Sequence, residues 1–170
     1  LYASTDGVLL NKDKTILLYC PYAKSGVFSI PDGVKKLNPY ASVFANRNLI
    51  TEIIIPSSFE GSDMDAFDFS NCFDLERITV DENNDFYSSS DDGVLFNKDK
   101  TILVCCPPKK AGSYAIPDGV KYLESYAFAG CELLTEISIP ASVEREPYFQ
   151  RYELNGTKFS NCRTLKNINV

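Results

Sequence analysis

The sequence predicts a β-rich solenoid, in which about six parallel strands, one per turn of a coil, are joined by short helical or 3₁₀ returns and interrupted by two inserted β-hairpins. Three observations predict it: the chain repeats itself, a short strand motif recurs inside each half, and a hairpin signal fills the longest gap between strands. Asp6-Gly-Val-Leu-Leu-Asn-Lys-Asp-Lys-Thr-Ile-Leu17 returns 86 positions on as Asp92-Gly-Val-Leu-Phe-Asn-Lys-Asp-Lys-Thr-Ile-Leu103. The match continues through Ile30-Pro-Asp-Gly-Val-Lys35 and Ile116-Pro-Asp-Gly-Val-Lys121, and two thirds of the aligned pairs from Asp6 to Ala41 are identical. Phe69-Ser-Asn-Cys72 comes back as Phe159-Ser-Asn-Cys162. Self-similarity at a fixed period is the mark of a repeat architecture. The 170 residues read as one domain made by tandem duplication, about 4–88 and 90–170.

The elements follow in order. Val8 to Leu18 is two apolar runs around the polar turn Asn-Lys-Asp-Lys, a hairpin signal. Phe28-Ser-Ile30 is the first rung strand. Ile50-Thr-Glu-Ile-Ile-Ile-Pro56 and Leu75-Glu-Arg-Ile-Thr-Val80 are the second and third. Val94 to Val104 is the copied hairpin, and Tyr114-Ala-Ile116, Leu134-Thr-Glu-Ile-Ser-Ile-Pro140 and Leu165-Lys-Asn-Ile-Asn-Val170 are the copied strands. Isoleucines alternate with polar residues in these segments, the period of a strand with one buried face. The strands therefore end near Ile30, Ile55, Val80, Ile116, Ile139 and Val170. Proline directly after a strand donates no ladder bond and stops the pairing. Between strands, Val120-x-x-Leu123-x-x-Tyr126-Ala-Phe128-x-x-Cys131 spaces apolar residues by three, which predicts a helical or 3₁₀ return. One rung alone buries too little to offset its ordering, so stability comes from stacking. The strand ending at Val170 is expected either to be followed by further repeats or to offer an adhesive edge.

Composition narrows the function. At 44% hydrophobic and 24% charged the chain is globular. Lys and Arg number 17 against 23 Asp and Glu, a net charge of −6, which argues against nucleic acid. Histidine is absent, which removes His-ligated metals and His-based nucleophile pairs. No apolar run reaches the length of a membrane helix, so no membrane insertion is expected in this segment. The opening at Leu1-Tyr2, without Met, reads as a fragment of a longer protein whose signal and anchor lie elsewhere.

The run Ile116 to Ile137 fits Ile-Pro-x-x-Val-x-x-Leu-x-x-x-Ala-Phe-x-x-Cys-x-x-Leu-x-x-Ile. With the Asp-Gly-Val-Leu-Phe-Asn-Lys-Asp-Lys insert, it resembles the BspA-like leucine-rich repeats of bacterial surface proteins, over nearly the whole chain. The resemblance implies a curved leucine-rich-repeat solenoid, an extracellular or cell-surface location, and adhesion to a host or matrix protein. The chain departs from the pattern in three places: Arg47 replaces the Cys of its rung, Ser42-Val43 are inserted before Phe44, and the rung between Pro140 and Phe159 is stretched.

The reactive side chains give no catalytic, cofactor or metal site. Cys72, Cys131 and Cys162 share an inward slot and read as small buried thiols. Cys20 and Cys106 are duplicates about 14 Å apart at the usual strand spacing, beyond disulfide reach. Cys131 and Cys162 lie on adjacent rungs, close enough in principle to bridge, but six free thiols are expected. Asp81-x-Asn83-x-Asp85 starts like a calcium loop, yet Phe86 stands where the sharp-turn Gly belongs, and turn chemistry explains it better. Asp63 and Asp65 read as solvated loop acids.

A non-catalytic protein-interaction or adhesion module is the reading, with a rigid spacer or a glycan-binding module as rivals. Two surfaces are candidates. Outward strand positions give Val27 and Ser29, Glu52 and Ile54, Arg77 and Thr79, Ser113 and Ala115, Glu136 and Ser138, Asn167 and Asn169. Of these, Glu52, Ile54, Arg77 and Glu136 are the binding candidates. The stretched rung adds Glu146-Pro-Tyr-Phe-Gln-Arg-Tyr152, so Tyr148, Phe149, Arg151 and Tyr152 join them, residue types enriched at binding hot spots.

Overall fold

The structure is a computed structural model that describes residues 1–38, 40, 43–61, 69, 72–144 and 156–170. In chain order its strands are β1 (Tyr2–Thr5), β2 (Val8–Asn11), β3 (Ile16–Tyr19), β4 (Gly26–Ser29), β5 (Lys36–Leu37), β6 (Ile50–Ile55) and β7 (Arg77–Val80). The second half repeats them as β8 (Tyr87–Ser89), β9 (Leu95–Asn97), β10 (Ile102–Cys105), β11 (Ala111–Ala115), β12 (Tyr122–Leu123), β13 (Leu133–Ser138) and β14 (Asn167–Asn169). All six expected rung strands are present, as β4, β6, β7, β11, β13 and β14, each ending within one residue of the predicted isoleucine or valine.

They do not join into one coil of six. Two three-stranded parallel sheets form, β4-β6-β7 and β11-β13-β14. Between and before them stand two four-stranded sheets, β1-β2-β3-β5 and β8-β9-β10-β12. The continuous curved sheet implied by the family resemblance is thereby corrected. Its physical cause is the inserted hairpin: the Gly93 carbonyl accepts the Ile78 amide at 2.9 Å, so the edge of β7 meets the hairpin before it could meet β11. Both hairpins are where the apolar runs placed them, and each gains a third antiparallel strand, β1 or β8.

The turn chemistry of the hairpins explains why Asn-Lys-Asp-Lys-Thr is duplicated. The Asn11 side chain accepts the amides of Thr15 at 2.8 Å and Ile16 at 2.9 Å, and its amide donates to the Thr15 hydroxyl at 3.0 Å. Asn97 repeats two of these bonds, accepting the Ile102 amide at 2.8 Å and donating to the Thr101 hydroxyl at 3.0 Å, while the Thr101 amide goes to Asp99 at 3.2 Å. Lys14 and Lys100 take left-handed backbone, φ 57° and 58°, to close the loop.

The helical or 3₁₀ returns are also corrected. The described returns are chains of separate turns, and one four-residue 3₁₀ segment, Gly156–Phe159, is the exception among the described residues. In the return after β12 the amides of Ala127, Ala129 and Cys131 bond three residues back, at 3.1, 3.1 and 3.2 Å. The intervening amides of Phe128 and Gly130 point across to the next rung, to Lys158 and Ser160 carbonyls at 2.9 and 2.7 Å. Two of the five successive amides that a 3₁₀ helix would use are thus spent on stacking. A spacing of three fits both arrangements, which is why the sequence alone could not separate them.

Two hydrophobic cores result. The first is built on Ile53, Ile55, Phe44, Phe69 and their neighbours, the second on Ile137, Ile139, Phe128 and theirs. An aromatic column runs through each: Phe28, Phe44 and Phe69 at centroid separations of 5.7 and 5.4 Å, and Tyr114, Phe128 and Phe159 at 6.0 and 5.7 Å. The second hairpin is a wall between the cores. Leu95 and Cys105 belong to the first core, while Val94, Phe96, Leu103 and Cys106 belong to the second.

The cysteine slot has a structural task. Cys72 Sγ donates to the Phe44 carbonyl at 2.8 Å, and Cys162 Sγ to the Phe128 carbonyl at 3.0 Å, one rung back in each half. Cys131 Sγ lies 3.6 Å from the carbonyls of both Cys106 and Pro107. All six cysteines are free thiols, five of them buried.

Candidate functional site

The outward slots read from the sequence fall into register. Val27 pairs with Glu52 and Glu52 with Arg77; Ser29 pairs with Ile54 and Ile54 with Thr79. In the second sheet Ser113, Glu136 and Asn167 line up, as do Ala115, Ser138 and Asn169. Parallel strands alternate their side chains, so burying Ile53, Ile78 and Ile137 forces these neighbours outward. The acids are held by the next strand. Glu52 Oε1 accepts the Thr79 hydroxyl at 2.5 Å and lies 3.6 Å from Arg77 Nε. Its duplicate Glu136 accepts the Asn169 side-chain amide at 2.5 Å. Each sheet therefore offers a face of fixed polar groups, with Val27 exposed and Ile54 half-buried among them in the first. Such a face can hydrogen-bond and exclude water; it carries no group poised for bond-making chemistry.

The structure brings Glu52, Ile54 and Arg77 together on one sheet and places Glu136 on the other. Tyr148, Phe149, Arg151 and Tyr152 lie outside the described residues, as do Asp63 and Asp65.

A cluster that the sequence reading passed over surrounds Arg47. This buried guanidinium donates from Nε to the Cys20 carbonyl at 2.6 Å and from Nη1 to the Ala45 carbonyl. Its carbon sits 4.0 Å from the Tyr22 ring centroid and 5.3 Å from that of Tyr19. The two rings, both exposed, meet edge-on at 6.4 Å. Arg47 thus reaches the carbonyl of Cys20 as Cys131 reaches that of Cys106 in the copy. The signal was available in the sequence: positions 19, 22 and 47 break the duplication together, against Cys105, Pro108 and Cys131.

The remaining titratable groups serve structure. The Cys131 thiol is held well above its ordinary range by hydrogen bonding with the Cys106 thiol and by burial. Burial pushes Cys162 up to about 11. Burial also raises Cys20, against the opposing pull of Arg47. None is a ready nucleophile at neutral pH. Asp81 folds into an Asx turn, accepting the Asn83 amide at 2.9 Å, and the buried Asn84 ties the same loop to the Pro56 and Phe59 carbonyls at 2.8 and 2.9 Å. Among the described residues no group of three or more Cys, Asp or Glu is placed to hold a metal ion. No helix among them is long and apolar enough to cross a membrane.

This is a stacked-repeat scaffold, and comparison with known proteins places it. The BspA type Leucine rich repeat region matches residues 19–91 and 108–170, in six copies. The chain belongs to that family of bacterial cell-surface repeat proteins. Among solved structures it is similar to a leucine-rich repeat protein from Eubacterium ventriosum, with 26% identity and a TM-score of 0.58 over 85% of this chain. It is also similar to the pneumococcal vaccine antigen PcpA, with 25% identity and a TM-score of 0.62 over 93% of this chain. The chain spans only 41% and 40% of those two proteins. No curated protein matches it.

Proposed function

We propose that this chain is an adhesion-type module that binds a protein partner outside the cell, through the outer strand face around Glu52, Ile54, Arg77 and Glu136 and through the stretched rung that holds Tyr148, Phe149, Arg151 and Tyr152. The observation that carries the reading is the in-register outer face, whose acids are already fixed by Thr79, Arg77 and Asn169. Side chains ordered before binding lose little entropy on contact, which favours affinity. A spacer has no need of such pre-ordering. A glycan site would draw on exposed aromatic faces in the stretched rung, at Tyr148, Phe149 and Tyr152, which lie outside the described residues.

The test is an immobilised array of extracellular matrix proteins and glycans probed with the 170-residue chain. Three variants accompany it: Val27→Arg to block the face, Arg77→Ala to unfix Glu52, and a combined Tyr148/Phe149/Tyr152→Ala. Saturable binding to a protein, weakened about tenfold or more by the face and rung variants, supports the reading. Binding to glycans alone, or protein binding indifferent to all three variants, overturns it.

A further inference from the structure

The joint between hairpin and rung is held by different chemistry in the two halves. In the first half Arg47 Nε donates to the Cys20 carbonyl at 2.6 Å. In the second the matching residues are Cys131 and Cys106, so two thiols stand where the first half has a guanidinium and a thiol. The Cys106 amide donates to the Ala127 carbonyl at 2.7 Å, which pins the end of the hairpin to the return that carries Cys131. Cys131 Sγ lies 3.6 Å from the carbonyls of Cys106 and Pro107, and its thiol hydrogen-bonds with that of Cys106. Both residues are 0% exposed and belong to the second core.

The surroundings single out this pair among the six cysteines. Segments stacked one rung apart run about 4.8 Å from each other, inside the roughly 4.4–6.8 Å between Cα atoms that a disulfide spans. Cys105, next in the chain, turns into the first core on the other side of the hairpin wall. Cys162 Sγ is committed to the Phe128 carbonyl at 3.0 Å, as Cys72 Sγ is to the Phe44 carbonyl at 2.8 Å.

We infer that Cys106 and Cys131 are a disulfide-forming pair, which a small disulfide outside the cell converts into a covalent clamp between the second hairpin and the rung stacked on it. The thiolate of one cysteine attacks the small disulfide, releasing one small thiol and leaving a mixed disulfide on the protein. The other cysteine then displaces the second small thiol and closes the Cys106–Cys131 bond. The two protein sulfurs are oxidised, the small disulfide is reduced, and the two thiol protons end on the released thiols. The cell surface lies beyond the cytosolic thiol pools that keep cysteines reduced. Burial shields both sulfurs in the folded chain, so the bond closes during folding and is afterwards sheltered from reductants. The first half, with Arg47 in the matching position, holds its joint in any redox state.

Oxidative refolding of the intact chain tests this. The chain is reduced and unfolded in urea, then refolded in a buffer of oxidised and reduced glutathione, with circular dichroism confirming the native strand content. Alkylation after denaturation counts the thiols, and mass spectrometry of unreduced peptides maps any bridge. The expected result is a fall from six thiols to four, with Cys106 joined to Cys131. The bridge persists in Cys105→Ser and Cys162→Ser and is lost in Cys106→Ser and Cys131→Ser. The bridged chain also unfolds at a higher urea midpoint than the same chain refolded with reduced glutathione alone. A folded chain that keeps all six thiols overturns the inference, and so does a bridge that joins Cys131 to Cys162 or to Cys105.

Discussion

Arg47→Ala probes a point where this chain departs from its own repeat. The buried guanidinium makes two hydrogen bonds, to the carbonyls of Cys20 and Ala45, and packs against Tyr22 at 4.0 Å. Bonds with a charged donor contribute about 1.5–3 kcal/mol each, and the cation–π contact adds about 0.5–1 kcal/mol at a half-exposed ring. Against this runs the desolvation of the guanidinium, a few kcal/mol that truncation returns. The balance is a loss of about 3 kcal/mol, and in a chain of this size that lowers Tm by about 6–12 °C. Arg47→Cys is the internal control. Its thiol stands where Cys131 contacts the Cys106 and Pro107 carbonyls at 3.6 Å, so it recovers part of the bonding and is expected to cost about 1–2 kcal/mol less. Urea and thermal unfolding followed by circular dichroism compare the three proteins, with m-values checking that the same surface is exposed. An Arg47→Ala protein as stable as the parent, or one at least as stable as Arg47→Cys, would refute the claim that Arg47 does the carbonyl-binding work of the missing thiol.

Two further outcomes follow from the packing of the hairpin and of the cysteine slot. Gly93→Ala brings a Cβ within 2.4 Å of Arg77 Cβ at φ 83°, whereas Gly112→Ala meets nothing within 4 Å at φ 76°. The second change costs only left-handed strain, about 1–2 kcal/mol, and the first is expected to cost at least twice that; equal shifts in Tm would show that the hairpin does not press on β7. The thiol of Cys162, raised to about 11 by burial from an ordinary 9.0, favours the folded state while neutral. That stability is complete below the unfolded value and is lost as pH rises through the folded one, because the unfolded chain releases its proton first. Urea midpoints on either side of pH 9.0 should therefore fall with rising pH, and Cys162→Ser should flatten the fall; a midpoint that rises with pH contradicts the assignment.

Much of the rung plan could be read from the sequence because it follows from two periods. Alternating isoleucines gave the strand positions and, with them, the outer partners of Glu52 and Glu136. Duplication gave the hairpins. Three features were hidden for physical reasons. The break between β7 and β11 depends on a hydrogen bond from Ile78 to Gly93, a competition between two partners for one edge that no local pattern records. The returns use the amides of Phe128 and Gly130 for the neighbouring rung, and apolar spacing is blind to where an amide points. The cluster of Tyr19, Tyr22 and Arg47 is visible only as three departures from the copy, and a search for what recurs passes over what does not.

The wall-like hairpin sets the sequence period and the packing period out of phase. By sequence, the first unit closes near residue 88; by packing, its core closes only with Leu95 and Cys105, which lie past that boundary. A cut at the boundary of the repeat would strip the first unit of its lid and leave Ile78 and Leu75 uncovered, while a cut just beyond the hairpin would take the lid along and bare Val94 and Phe96 instead. Neither incision is clean. The modular grammar of the sequence is thus finer than the modularity of the object, and the first unit borrows from the second the residues that complete it.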